Sequence, residues 1–121
     1  MDMKLELIPL PVEDVDRSKA YYIDTLGFGL DHDVEPGNGM RIVQLTPSGS
    51  ACSVVIGTGM GSAGSPVTGL HLVVEDIAAA RAHLVARGAR VGEIEDMGGV
   101  KYASLEDPDG NSWLLQELRR P

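Results

Sequence analysis

The chain repeats itself. "VED" stands at residues 12–14 and again at 74–76, each time after a strand-like apolar run ("LELIPLP", "GLHLVV") and ahead of a helical stretch. "TPSGSACSVVIG" at 46–57 overlays "DPDGNSWLLQEL" at 107–118, with Pro47 on Pro108 and Gly49 on Gly110, a shift of 61 residues. Gly27 falls on Gly88 at the same shift, whereas the VED pair sits at 62, so the halves match with a one-residue slip inside the helix region. Self-similarity of this kind restricts the chain to two copies of one supersecondary unit.

Each copy reads the same way. After a first strand, Asp14 or Asp76 opens a helix, because its carboxylate accepts from the free amides of a first turn. The helices "DRSKAYYIDTLG" and "IAAARAHLVARG" close at Gly27 and Gly88, where a left-handed residue ends a helix. Three short strands follow, over 28–35, 40–46 and 51–57 in the first half and 89–95, 100–106 and 112–118 in the second. Gly-containing turns ("EPGNG", "EDMGG", "PSG", "PDG") separate them as hairpin connections require. The fold class is α+β, two tandem βαβββ modules. With 121 residues and 43% hydrophobic composition, the chain makes a single domain, 1–121. Its modules are 1–57 and 69–121, joined by a Gly/Ser linker over 58–68 that is expected to be mobile. The link has no GK[ST], so its glycines are read as linker rather than as a phosphate loop.

Ten Lys and Arg against eighteen Asp and Glu leave a net charge of −8. Such a surface repels nucleic acid and anionic membrane and can steer cationic ligands inward, but simple solubility is the preferred reading of it. The opening "MDMKLELIPLP" has no basic stretch ahead of an apolar core, and no run approaches the length of a membrane helix, which predicts a cytoplasmic protein. One cysteine, Cys52, excludes an internal disulfide and any multi-cysteine metal cluster. It is read as a small apolar filler in a strand.

The repeated strand–helix–three-strand unit, the opening "V-E-D-V-D-R-S-K-A-Y-Y…L-G-F" and the turn "D-P-D-G-N" before the last strand resemble the vicinal oxygen chelate superfamily. That group includes glyoxalase I, fosfomycin-resistance enzymes, extradiol dioxygenases and the bleomycin-resistance proteins. The resemblance spans nearly the whole chain. It implies sheets curled into a cup with helices outside, and a homodimer. It also implies where a divalent metal would be held in the metalloenzyme members. One ligand, His or Gln, sits five residues before the Val of the "V-x-D" signature, and the other, Glu, four residues after the Gly of the hairpin turn. Counted here, those positions are Leu7, Gly69, Ser53 and Leu114. None supplies the donor that a hard or borderline cation wants. A register slip leaves Ile8, Leu70 and Leu115 there, which rescues nothing, and the acid Glu117 has the opposite strand parity. No metal and no cofactor is expected.

Strand alternation assigns the faces. Ile8, Leu10 and Val12, with Leu70, Leu72 and Val74, suit the helix-packed side. Leu7, Pro9 and Pro11, with Gly69, His71 and Val73, then face the cup, joined by Ser112, Leu114 and Gln116 from the last strand. His71 is the one histidine pointing into the cup; it is either a satisfied polar residue of the lining, a ligand's hydrogen-bond partner or a general base. His32 lies between Asp31 and Asp33 in "LDHDVE". Neighbours on a strand point to opposite faces, so the two aspartates share a side and the group reads as solvated surface. His83 is read as helix surface. Trp113 has core parity, so the grip on a planar ligand falls to Tyr102 or to a tyrosine lent by the partner chain. Met40, Met60 and Met97 are placed in or beside loops as gap-fillers, and the alternation does not decide whether Arg41 or Gln44 faces inward.

The expected ligand-binding set is therefore Leu7, Pro9, Ser53, Val55, His71, Tyr102, Leu114 and Gln116. The function it points to is metal-independent binding of a small, largely apolar or cationic molecule, such as an antibiotic or other hydrophobic natural product, as in the bleomycin-resistance branch. The alternatives are an enzyme of lyase, isomerase, glyoxalase or dioxygenase type, using His71 as base or a metal site elsewhere, and a structural module whose cup its own side chains fill. The partners expected are a small molecule and a second copy of the chain, with neither nucleic acid nor membrane.

Overall fold

The computed structural model describes residues 1–59 and 64–118; Met60 lies outside them. The chain divides into two compact units, Met1–Pro66 and Val67–Pro121. The first unit runs β1 (Leu7–Pro9), α1 (Val15–Ala20) continued by a turn of π-helix (Tyr21–Thr25), β2 (Gly29–Gly37), β3 (Met40–Thr46) and β4 (Ser53–Gly57). The second runs β5 (Leu70–Val73), α2 (Ile77–Ala86), β6 (Glu95–Met97), β7 (Val100–Glu106) and β8 (Ser112–Glu117). Each unit is the expected βαβββ. Its last strand returns to lie parallel to its first, giving sheet orders β1-β4-β3-β2 and β5-β8-β7-β6.

Both helices start as the sequence dictates. Asp14 accepts from the amide of Arg17 at 3.1 Å and Asp76 from that of Ala79 at 3.0 Å, while Gly27 and Gly88 end the helical stretches at φ 77° and 97°. α1 packs on β4 and α2 on β7 and β8. The covered face of the first sheet buries Val43, Leu45, Val54 and Ile56 beneath Tyr22; that of the second buries Ala103, Leu105, Trp113 and Leu115 with Ile77 and Leu84 of α2. Burial of each large side chain contributes about 1.5–3 kcal/mol. Trp113, 3% exposed, is core, as its parity requires. Among the described residues no helix is long and apolar enough to cross a membrane.

The structure departs from the sequence reading at several places. The strand expected over 89–95 is reduced to Glu95–Met97 and an isolated bridge between Val91 and Leu105. Arg81 of α2 explains this: its guanidinium donates to the carbonyls of Gly92 at 2.7 Å and Val91 at 3.1 Å, which satisfies groups a ladder would otherwise have taken. Cys52 precedes β4 instead of lying in it, because the Ser50 hydroxyl accepts from its amide and donates to its carbonyl, both at 3.0 Å. Pro11 is buried and lies past the end of β1. Met40 and Met97 are strand residues, each at the turn end of a hairpin.

The largest departure concerns Asp31 and Asp33. A β-bulge between Leu30 and His32 inserts one residue, so the alternation fails there and the two aspartates face opposite ways. Asp33 lies on the helix side, bound by Lys19 of α1 at 2.7 Å and by both Nε and Nη2 of Arg41 at 3.1 and 2.9 Å. Arg41 reaches Asp16 at 2.6 Å as well. This settles the orientation that alternation left open: Arg41 ties the strand to α1, and Gln44 points the other way.

The "DPDGN" turn is tied together by its own side chains. Asp107 accepts from the amides of Asp109 and Asn111, both at 2.9 Å. The Asn111 side chain, fully buried, donates to Asp107 at 2.8 Å and accepts from the amide of Val67 at 2.8 Å. Removing it takes a hydrogen-bond partner from the half-buried amide of Val67 and another from the buried Asp107 carboxylate. Asn111→Ala should therefore cost about 2–4 kcal/mol, read as a lower urea midpoint at unchanged slope; a loss below about 1 kcal/mol would contradict the account.

The hydrogen bonds from Arg41 and Lys19 hold the Asp33 carboxyl well below the ordinary aspartate range, and Asp33 in turn pushes the Arg41 guanidinium up. A depressed carboxylate stabilises the fold above its unfolded value near pH 4 and loses that contribution as the pH falls toward its native value. Asp33→Asn should accordingly melt below the wild type by a constant margin between about pH 5 and 8, the margin closing below about pH 4. Melting curves down to pH 2 or so that stay parallel would refute it.

Candidate functional site

A helix packs on one face of each sheet, and the face turned away from it is here called the open face. Strand pairing arranges the first open face in rows: Leu7 beside Ser53, then Pro9, Val55, Gln44 and His32, then Gly57, Ile42 and Val34. Leu7 and Val34 are nearly half exposed, at 46% and 47%. Ser53 and Val55 share the face but are closed over, at 6% and 5%, so a ligand meets Leu7, Pro9 and Gln44 before it meets them. Gly57 permits the close approach of β3 here, since a Cβ on it would stand 2.0 Å from the Arg41 carbonyl. At the edge of the face Thr46 joins the Ser53 hydroxyl at 2.6 Å and donates to Asp31, with Gln44 Nε2 3.5 Å from the same carboxylate oxygen.

Asp31 is the residue the alternation missed. A bulge leaves no mark in "LDHDV", and the one available signal was the run of three hydrogen-bonding side chains in a strand that has no burial to organise.

The second open face has the rows His71–Leu114–Ser104 and Val73–Gln116–Tyr102–Glu95. Leu114, Gln116 and Tyr102 are half-buried, His71 and Val73 exposed. The His71 ring stands edge-on to Tyr102 at 6.2 Å between centroids, and Gln116 Nε2 donates to the tyrosine oxygen at 3.5 Å. His71 Nδ1 lies 2.8 Å from the Gly69 carbonyl. A carbonyl only accepts, so Nδ1 carries the hydrogen and, in the neutral ring, Nε2 keeps its lone pair for whatever approaches the face.

The register corrects one equivalence between the halves. Helix starts equate Leu7 with Gly69 and Pro9 with His71. Pro9 lies opposite Val55 and His71 opposite Leu114, so the counterpart of Leu114 is Val55, not Ser53. The cause is turn length. The bond from Ser50 N to Pro47 O matches that from Gly110 N to Asp107 O, which sets Pro47 over Asp107, and the first turn then runs one residue further before its strand. Leu7, Ser53, Val55, Gly69 and Leu114 offer hydrocarbon, one hydroxyl and bare backbone. Among the described residues no group of three or more His, Cys, Asp or Glu converges as a metal site.

The sequence model of the glyoxalase/bleomycin resistance protein/dioxygenase superfamily matches residues 4–115. Among solved structures the chain is similar to TnmS3, an antibiotic binding protein from Streptomyces sp. CB03234, at 32% identity and a TM-score of 0.83 over 98% of both chains. A glyoxalase/bleomycin resistance protein from the same organism is 33% identical, with a TM-score of 0.77 over 93% of this chain and 98% of that one. A superfamily member from Sphaerobacter thermophilus DSM 20745 is 27% identical, with a TM-score of 0.81 over 97% and 98%. No curated protein matches the chain. The repeat, the βαβββ units and these likenesses agree: the chain belongs to the glyoxalase/bleomycin resistance protein/dioxygenase superfamily.

Proposed function

We propose that the protein is a metal-independent binding protein that sequesters a small, largely apolar molecule of antibiotic or other natural-product type, acting in the cytoplasm as a homodimer. The carrying observation is the chemistry of the open faces. Leu7, Pro9, Val73 and Leu114 supply apolar contact, while His71, Tyr102, Gln116 and Gln44 supply a few oriented polar groups, the usual make-up of a small-molecule site. The positions at which the chelating members of the family hold a metal carry side chains that cannot. The similarity to an antibiotic binding protein over 98% of both chains supports the same reading, and exposed apolar side chains outside the ligand set, such as Leu30 and Val85, support burial against a second copy.

Metal analysis of the untagged protein, together with native mass spectrometry, tests this directly. Substoichiometric metal, a dimeric mass and binding of natural products unaffected by a chelator are expected. Stoichiometric Ni, Zn, Mn or Fe that the ligand requires would overturn the reading.

One observation favours a catalytic reading as the second choice: the Gly69 carbonyl holds the His71 ring so that a neutral imidazole offers Nε2 as a base. On the sequestration reading, ligand recovered from His71→Ala is chemically unchanged from that recovered from the wild type. Turnover by the wild type that disappears in His71→Ala, with binding retained, would replace sequestration by catalysis.

A further inference from the structure

Asp31 stands apart from the other charged groups of its sheet. The bulge turns its carboxylate toward the face of Gln44, where Oδ2 accepts from the Thr46 hydroxyl. Thr46 has one hydroxyl hydrogen and directs it at a group that only accepts, so in the 2.6 Å contact between Thr46 and Ser53 the donor is Ser53. A directed chain, Ser53 to Thr46 to Asp31, therefore runs from a side chain 6% exposed to one open to solvent, and it fixes where the carboxylate points.

Among the described residues no cation pairs with Asp31. Lys19 and Arg41 are held by Asp33 and Asp16 on the opposite face, and Arg81 and Lys101 bind acids of the second unit. Beside Asp31, the same face carries the apolar Leu7, Pro9, Ile42 and Val34.

We infer that Asp31 is the charge-selecting group of this face, and that the ligand it selects is an organic cation, an ammonium or guanidinium carried on an apolar body. This rests on the binding reading above and narrows it. A neutral hydrophobe uses the apolar rows alone. An anion meets the carboxylate and a chain of net charge −8. A divalent metal ion finds a single carboxylate where it wants several oxygens. A cation on an apolar body uses both parts, adding a charge-assisted hydrogen bond to apolar contact.

The test compares two probes of one shape, naphthylmethylamine and naphthylmethanol, by titration calorimetry and amide chemical shifts at neutral pH. The wild type should bind the amine more tightly than the alcohol by about 1.4- to fivefold, the range expected for an exposed ion pair. The preference should fade at about 0.5 M salt. Asp31→Asn keeps an acceptor oxygen for Thr46 and should remove the preference while leaving the alcohol unchanged. Glu35→Gln, which deletes the same charge from the same strand, should leave the preference intact.

An amine bound no better than the alcohol, or a preference that survives Asp31→Asn or falls equally with Glu35→Gln, overturns the inference and leaves the binding reading standing. If neither probe shifts the amides of the first open face in the folded wild type, both fall together. Amide spectra of Asp31→Asn verify the fold, so lost preference is not lost structure.

Discussion

The pairing on which each unit depends is the parallel contact of its first strand with its last. β1 with β4, and β5 with β8, close the βαβββ chain into a four-stranded sheet, and the helix between the first and second strands is thereby carried across one face. Everything about the other face follows. Because strand parity is two, fixing Leu7 opposite Ser53 and His71 opposite Leu114 decides which side chains sink under the helix and which remain available. Buried Trp113 and half-buried Leu114 are neighbours in sequence with opposite fates for this reason alone.

What was legible in the sequence was whatever depends on local chemistry or on parity. Asp14 and Asp76 cap their helices because a short carboxylate at that place meets free amides, and Gly27 and Gly88 end them because the chain turns left-handed there. The shared parity of Leu7 and Pro9, and of His71, Val73, Leu114 and Gln116, was legible because alternation is enforced by burial on the helix side, whereas Pro11 lies past the end of β1 and is buried. What was not legible required information from elsewhere in the chain. Arg81 replaces a ladder with side-chain hydrogen bonds to Val91 and Gly92, a substitution visible only once α2 lies beside that segment. The overlay of Pro47 on Pro108 slipped by one residue because sequence similarity aligned prolines where the backbone aligns hydrogen bonds. Parity could not place Asp31, since a bulge suspends the rule that parity relies on.

Two aspartates, two residues apart, illustrate how much that suspension matters. Asp33 faces α1 and is enclosed by two cations, so its charge serves the attachment of helix to sheet and shows itself in acid. Asp31 faces outward and is oriented by hydroxyls, which fix its direction without neutralising it. Hydroxyl donors leave a net negative charge in place, whereas a lysine or arginine would cancel it. The same residue type is consumed by structure in one case and left over in the other.

The two open faces have the same scaffold and have been given different chemistry. The first offers a carboxylate beside hydrocarbon; the second offers the imidazole of His71, a phenol and an amide beside Val73 and Leu114. At matching rows the register places unlike residues: Pro9 against His71, Val55 against Leu114. Because each face keeps its own set of contacts, substitution at Asp31 and substitution at His71 should act on separable features of what is bound.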